Sequence, residues 1–154
     1  MSITSLLAPD RIFTDTDITS KKRLLEFLAE KASEAIEQSQ TEIFNKLLER
    51  ERLGSTGLGQ GFAVPHARLD NLQHTHACFA KLGTPVNYDA MDHQPVDLIF
   101  AIFLPEASTE EHLRILAALA KIFSQPAITH KIRNCNDASE IIRIIEQAEQ
   151  SSAT

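Results

Sequence analysis

Histidine is the one reactive side chain that this sequence supplies in quantity, with six copies against two cysteines. Cys78 and Cys135 have no Cys-x-x-Cys spacing, and no serine stands in a Gly-x-Ser-x-Gly elbow. Group transfer would therefore fall to imidazole, whose ordinary pKa of ~6.5 leaves it mostly neutral and nucleophilic near pH 7. His66 has the most informative setting. It follows the apolar stretch Phe62-Ala-Val-Pro65, which is itself preceded by a loop, Leu53 to Gly61, holding four of the five glycines. Strand ends in α/β folds are where sites collect, and Pro65 fixes its own φ and stiffens the turn that presents His66.

Two more residues depart from ordinary packing patterns. His112 falls in the first turn of an amphipathic segment whose positions 112, 115, 116, 119 and 123 read His, Ile, Leu, Leu, Phe along one stripe. An imidazole at the edge of the core satisfies that pattern, but a helix N-terminus also favours an adjacent anion. Arg50 shares a stripe with Ile43 and Leu47 at i, i+4 and i+7. A cation there either snorkels or pairs with Glu42, Glu49 or Glu51, or else clamps an anion with its planar guanidinium. Periodicity leaves both readings open. His74-x-His76 is half of a metal site without a third ligand, and His93 and His130 read as solvent-facing. The glycine loop lacks the Gly-Lys-Ser/Thr ending of a nucleotide P-loop.

The elements that must position these side chains alternate between helical and strand patterning, which predicts an α/β fold. A turn of helix around Ser5–Leu7 precedes a strand over Arg11–Asp17. Thr19 or Ser20 caps a long helix with Leu24, Leu25, Leu28, Ala32, Ala35 and Ile36 on one face. A second helix over Thr41–Arg52 ends at Gly54. Strands follow at Phe62–Pro65, His76–Leu82 and Val96–Leu104, the last so continuously apolar that it belongs at the centre of the sheet. Ser108-x-x-Glu111 and Asp137-x-x-Glu140 are capping-box patterns that open two more helices, the first running to Phe123. The polar stretch from Gln147 frays, leaving one domain over 1–150 and a flexible tail at 151–154.

Composition excludes several function classes. A chain of 154 residues is one domain's worth, and 43% hydrophobic with 23% charged residues supports a core without metal or disulfide staples. Acidic residues outnumber basic ones by 21 to 15, and no basic tract exceeds Lys21-Lys22-Arg23, so nucleic acid and anionic membrane are poor partners. No apolar run approaches the ~18 residues of a membrane span, and Met1-Ser-Ile-Thr does not begin a signal peptide. A reducing cytoplasm is the expected location.

The stretch from Glu51 to Ala67, ERLGSTGLGQGFAVPHA, resembles the active-site signature of enzyme IIA proteins of the mannitol/fructose class of the bacterial phosphotransferase system. Its Leu-Gly-Ser-Thr-Gly wording is similar to the nitrogen-regulatory (Ntr) branch. The likeness extends through the opening Leu-Leu-Ala-Pro, Ser20-Lys-Lys-Arg, and Glu111-His-Leu, and so covers residues 1–148. The resemblance implies a single-domain α/β fold with a mixed, roughly five-stranded sheet flanked by helices on both faces. It implies His66 as the phosphoryl acceptor, with Arg50 and His112 supporting it; hydroxyls or amides around Ser55 and Thr56 would add phosphate contacts. No cofactor, nucleotide or metal is implied. The expected partners are an HPr-like (NPr) phosphocarrier and regulated proteins such as potassium-transport regulators or sensor kinases. Three positions depart from the family pattern: Phe62 is usually aliphatic, Ala67 is often Gly, and Gln60 replaces the acid of mannitol-type members. With no sugar-binding membrane domain or cysteine-bearing transfer domain in the sequence, a stand-alone regulator is expected. The alternatives are an enzyme IIA that serves a separate sugar permease and a small-anion or metal-binding module without turnover.

Overall fold

In the computed structural model, which describes residues 2–152, two short 3-10 turns at Thr4–Leu6 and Pro9–Arg11 lead into strand β1, Ile12–Thr16. Ser20 caps helix α1, Lys21–Ile36, by accepting the Arg23 amide at 3.1 Å. Helix α1 ends at Glu37 in the left-handed region, and Ser39 caps α2, Gln40–Leu53, as Ser20 caps α1. Between Gly57 and Leu69 the chain then makes three short strands, more than the one expected there. These are β2 (Gly57–Gly59), β3 (Phe62–Ala63) and β4 (His66–Leu69).

The glycines encode a hairpin. β2 and β3 pair antiparallel, and the turn residues Gln60 and Gly61 both have positive φ, 57° and 81°, the sign pattern of a two-residue type I′ turn. A Cβ at Gly57 would lie 2.7 Å from the Cβ of Ala90, so this strand packs against the 88–93 turn only because it lacks a side chain.

Long strands β5 (His76–Val86) and β6 (Val96–Pro105) complete a six-stranded mixed sheet ordered β1-β5-β6-β3-β2, with β4 also on β6. β6 is antiparallel to β5 and parallel to β3 and β4, while β1 runs parallel to β5. As expected, β6 is central and buried on both faces. Its alternation splits the core: Leu98, Phe100, Ile102 and Leu104 pack in the cluster with α3 (Glu110–Phe123), α4 (Pro126–Arg133) and α5 (Ala138–Ser152), whereas Ile99, Ala101 and Phe103 pack with α1 and α2. Phe62, the unusual aromatic, stacks on Phe123 with ring centroids 4.1 Å apart, so its bulk is absorbed by a partner on α3.

The two expected capping boxes differ in outcome. Helix α3 starts after Thr109, whose backbone is already helical and whose side chain makes no cap bond. The Ser108-x-x-Glu111 box does not form, and Glu111 instead accepts the Thr75 hydroxyl at 3.2 Å. Asp137 does cap α5, accepting the Ser139 and Glu140 amides at 2.9 and 3.3 Å, while Glu140 pairs with Arg143. The stretch from Gln147 does not fray as expected, because Ala148 is buried in the core and Glu149 accepts the Ile3 and Thr4 amides; helix α5 runs on through residues 151 and 152, which were expected in the tail, and 153 and 154 lie outside the described residues. No helix among the described residues is long and apolar enough to cross a membrane.

Candidate active site

β3 and β4 follow one path along β6, broken at Val64-Pro65, and His66 is the first residue beyond the break. Val64 gives its amide to Thr56 O at 3.0 Å, outside the ladder. The Val64 carbonyl meets the imidazole: His66 Nδ1 lies 2.8 Å from Val64 O. A carbonyl only accepts, so the proton of the neutral ring sits on Nδ1 and the lone pair on Nε2. Arg50 Nε donates to that lone pair at 3.2 Å, which agrees with the same tautomer. Burial lowers the His66 pKa below its ordinary value. The Val64 carbonyl opposes the shift and the Arg50 and Arg68 charges add to it.

Arg50 comes from the last turn of α2, and its Nη1 donates to Gly54 O at 2.9 Å. Among the described residues no carboxylate pairs with it, which removes the ion-pair alternative. Glu51, the nearest candidate in sequence, is committed elsewhere. It meets Lys21 Nζ at 2.9 Å, accepts the Thr56 amide at 3.1 Å and also accepts the Thr56 hydroxyl. That hydroxyl in turn accepts from Tyr88 at 2.9 Å. The buried network ties the C-terminal turn of α2 to the loop and so fixes where Arg50 is held.

His112, in the first turn of α3, puts its ring centroid 4.6 Å from that of His66, with the planes 63° apart. Its Nδ1 accepts from Arg68 Nη2 at 3.2 Å, and its Nε2 is enclosed with no partner. Burial, then the neighbouring His66, Arg68 and Arg50, lowers its pKa to about 4, so the ring is neutral with its proton on Nε2. His66, Arg50, His112 and Arg68 line one cleft of about 560 Å³, with Lys46 and Arg52 also on its wall. His66 is only 5% exposed, and what surface it keeps lies in this cleft with Arg50 and His112.

Residues 5–148 match the family described as phosphoenolpyruvate-dependent sugar phosphotransferase system, EIIA 2. The chain belongs to that family. It is 39% identical over 145 residues to the nitrogen regulatory protein of Bradyrhizobium diazoefficiens, covering 94% of this chain and 95% of that one. The solved structure of nitrogen regulatory protein IIA-Ntr from Neisseria meningitidis is similar at a TM-score of 0.89 and 38% identity, over 93% of this chain and 98% of that one. IIA mannitol from Escherichia coli shares the fold, at a TM-score of 0.77 and 20% identity over 90% and 98% of the two chains.

In this EIIA 2 protein the fold brings together the three residues singled out in the sequence, His66, Arg50 and His112. Arg68 escaped that reading, although a signal existed: it stands two residues after His66 on a strand, where alternation puts both side chains on one face. Ser55 and Thr56 do not line the cleft. The Ser55 hydroxyl accepts the Gly57 amide at 3.1 Å and donates to Tyr88 O at 3.3 Å, and that of Thr56 is buried against Glu51 and Tyr88. Gln60 lies at the hairpin turn with its amide on Asp92 Oδ2 at 2.9 Å, and is not beside His66 as the departure from mannitol-type members would suggest. His93 and His130 are exposed; His74 is exposed and outside β5, while His76 is half-buried within it, and the described residues contain no group of three metal-ligating side chains.

Proposed function

We propose that His66 Nε2 accepts a phosphoryl group from the phosphohistidine of an HPr-like (NPr) carrier. The observation that carries this reading is a neutral imidazole whose lone pair faces a guanidinium that has no counter-ion among the described residues, beside an imidazole N–H that has no partner among them. The P–N bond of the donor breaks in line as the P–Nε2 bond forms, and the electron pair of the old bond returns to the carrier's imidazole. No proton has to move, because His66 keeps its own on Nδ1, where the Val64 carbonyl supports the positive character the ring acquires. Arg50 Nε–H passes from the lone pair to an equatorial phosphoryl oxygen, and His112 Nε2–H serves another. Ser55 and Thr56 act by holding the loop rather than by touching phosphate.

Phosphorylation adds about −1.5 to −2 of charge, taking phosphoserine as the guide, to a rim where Lys46, Arg50, Arg52 and Arg68 outnumber the single carboxylate of Glu49, beside the exposed Leu53. That loss of most of the rim's net positive charge, with its change in hydration, is a switch for protein partners in the cytoplasm. Domain 1–150 works on this reading as a phosphorylation-dependent regulator of nitrogen- or potassium-related metabolism, with potassium-transport regulators or sensor kinases as targets. The nitrogen regulatory names of its relatives support that direction. The test is to mix phosphorylated carrier with wild-type and His66→Ala protein: label on the wild type alone is expected, and equal labelling of both would overturn the assignment.

A further inference from the structure

The placement of Arg68 is not something that the transfer reaction by itself requires. This residue is an exposed cation on β4, and its one hydrogen bond among the described residues runs from Nη2 to His112 Nδ1 at 3.2 Å. Guanidinium has donors and no acceptor, so this bond exists only while His112 Nδ1 carries a lone pair. A neutral imidazole has a single proton, which is then obliged to sit on Nε2. That nitrogen is enclosed, has no partner, and belongs to a ring stacked edge-on against His66 at 4.6 Å. In water a free histidine exchanges between its two tautomers, and the Nδ1–H form would present a lone pair, not a donor, to the cleft.

We propose that Arg68 is a positioning residue: by donating to His112 Nδ1 it locks the His112 proton on Nε2 and so keeps that nitrogen an N–H donor on the ring packed against His66. The two histidines are thereby set in complementary tautomers by two different neighbours. The Val64 carbonyl holds the His66 proton on Nδ1 and leaves a nucleophile, while the Arg68 guanidinium holds the His112 proton on Nε2 and leaves a donor. Lying two residues beyond His66 on the same strand, Arg68 ties the donor's tautomer to the element that carries the nucleophile. The low pKa of His112 fits this arrangement, since a second proton on Nδ1 would break the Arg68 bond. The use of that N–H by a phosphoryl oxygen rests on the reading under Proposed function; the tautomer coupling does not.

The experiment follows ring nitrogens by 15N-histidine NMR in the full-length protein, in wild type, Arg68→Met and Arg68→Lys, together with single-turnover transfer from phosphorylated carrier. Expected in the wild type is a His112 signal with protonated Nε2 and bare Nδ1. In Arg68→Met this changes to mixed or Nδ1-protonated signals, and Arg68→Lys, which retains a donor, restores it. Transfer at saturating carrier falls about tenfold in Arg68→Met, with a smaller change in half-saturating carrier concentration. In a His112→Ala background Arg68→Met adds less than about twofold, because the two residues act as one unit. An unchanged His112 tautomer in Arg68→Met overturns the proposal, as do fully additive losses. A wild type that takes up no phosphoryl group, with the tautomer change still seen in Arg68→Met, would sink the transfer reading and leave the Arg68–His112 coupling standing.

Discussion

Lys81 is 7% exposed, yet its ammonium reaches the carbonyls of Arg133 and Cys135 and Asn136 Oδ1 at 3.1, 2.6 and 2.6 Å. Beside it Arg133 forks onto Asp97, with Nη2 to Oδ1 at 2.8 Å and Nε to Oδ2 at 2.9 Å. Around His66 the same residue types are left in the opposite state: among the described residues, Arg50 and Arg68 bond only to imidazole nitrogens and one backbone carbonyl, and to no carboxylate. Charges that have all their acceptors hold α4 against the sheet. Charges that lack them, gathered about a neutral nucleophile, are competent to receive an anion. The distinction between a structural and a functional cation here is one of satisfaction, not of burial or residue type.

The largest expected effect separates the two regions by activity. Arg50→Ala should slow phosphoryl transfer by about 10²–10³-fold, the usual cost of one transition-state donor, while moving the unfolding free energy by less than about 0.5 kcal/mol. Rapid-quench transfer and urea unfolding on the same preparation measure both. A loss of stability as large as the loss of rate would mean that Arg50 belongs with the structural cations. Lys81→Met is the mirror experiment. It strips the ammonium from three acceptors and should cost about 2–3 kcal/mol of stability, with transfer per folded molecule unchanged. Slow transfer in a fully folded Lys81→Met protein would erase the contrast.

Thr56→Val tests the network lying between these extremes. It removes the hydroxyl that links Glu51 to Tyr88, leaving both polar groups buried and short of a partner, and should cost about 1–2 kcal/mol. Because the network positions the end of α2 without touching the cleft, transfer should fall only a few-fold. A loss comparable to that of Arg50→Ala would return Thr56 to direct phosphate contact.

The pH dependence sharpens the same comparison. His66 and His112 both have folded pKa values below the unfolded ~6.5, His112 at about 4, so the unfolded chain takes up protons first as the pH drops. Their contribution to stability is complete above about pH 6.5 and declines toward pH 4. Acceptor activity should hold to a lower pH than an ordinary imidazole allows, one that would be about nine-tenths protonated at pH 5.5. Ring 15N shifts and single-turnover rates between about pH 7.5 and 5.5 provide the check. A rate tracking a pKa of 6.5 would show that the cleft does not keep its histidines neutral.

How much of this was legible depended on the range of the interaction. Val96–Leu104 announces a central strand because burial on both faces leaves no polar position, and Ser20 and Asp137 are caps whose effect is local. The pairing of β5 antiparallel and β3 and β4 parallel to β6 is set by contacts between distant residues, which spacing does not encode. The Ser108 box failed because Thr109 adopts helical backbone, an outcome of how α3 docks. His66, Arg50 and His112 stood out as polar residues in apolar settings. Arg68 did not, since an arginine on a four-residue strand looks like surface until His112 is placed beside it. Ser55 and Thr56 had the right chemistry for phosphate, but their hydroxyls turn toward Tyr88 and Glu51, residues whose proximity only the fold determines.

Gln60 gives the smallest expected effect and the finest division between near in sequence and near in space. Read along the chain, it sits close before His66 in a glycine loop, and an acid there would bias the imidazole. In the structure it is exposed at the β2–β3 turn, its backbone amide on Asp92 and its backbone carbonyl accepting Arg133 Nη2 at 3.0 Å, so it lies on the side of the satisfied Arg133. Gln60→Glu should therefore leave the transfer rate within about twofold and the His66 ring titration unmoved. Its added charge lies near Asp92 and should cost no more than about 0.5 kcal/mol at the hairpin. A rise in the His66 pKa measured by 15N shifts in Gln60→Glu would place that side chain within electrostatic reach of the nucleophile, and the separation between the two charge environments would have to be redrawn around the whole glycine loop.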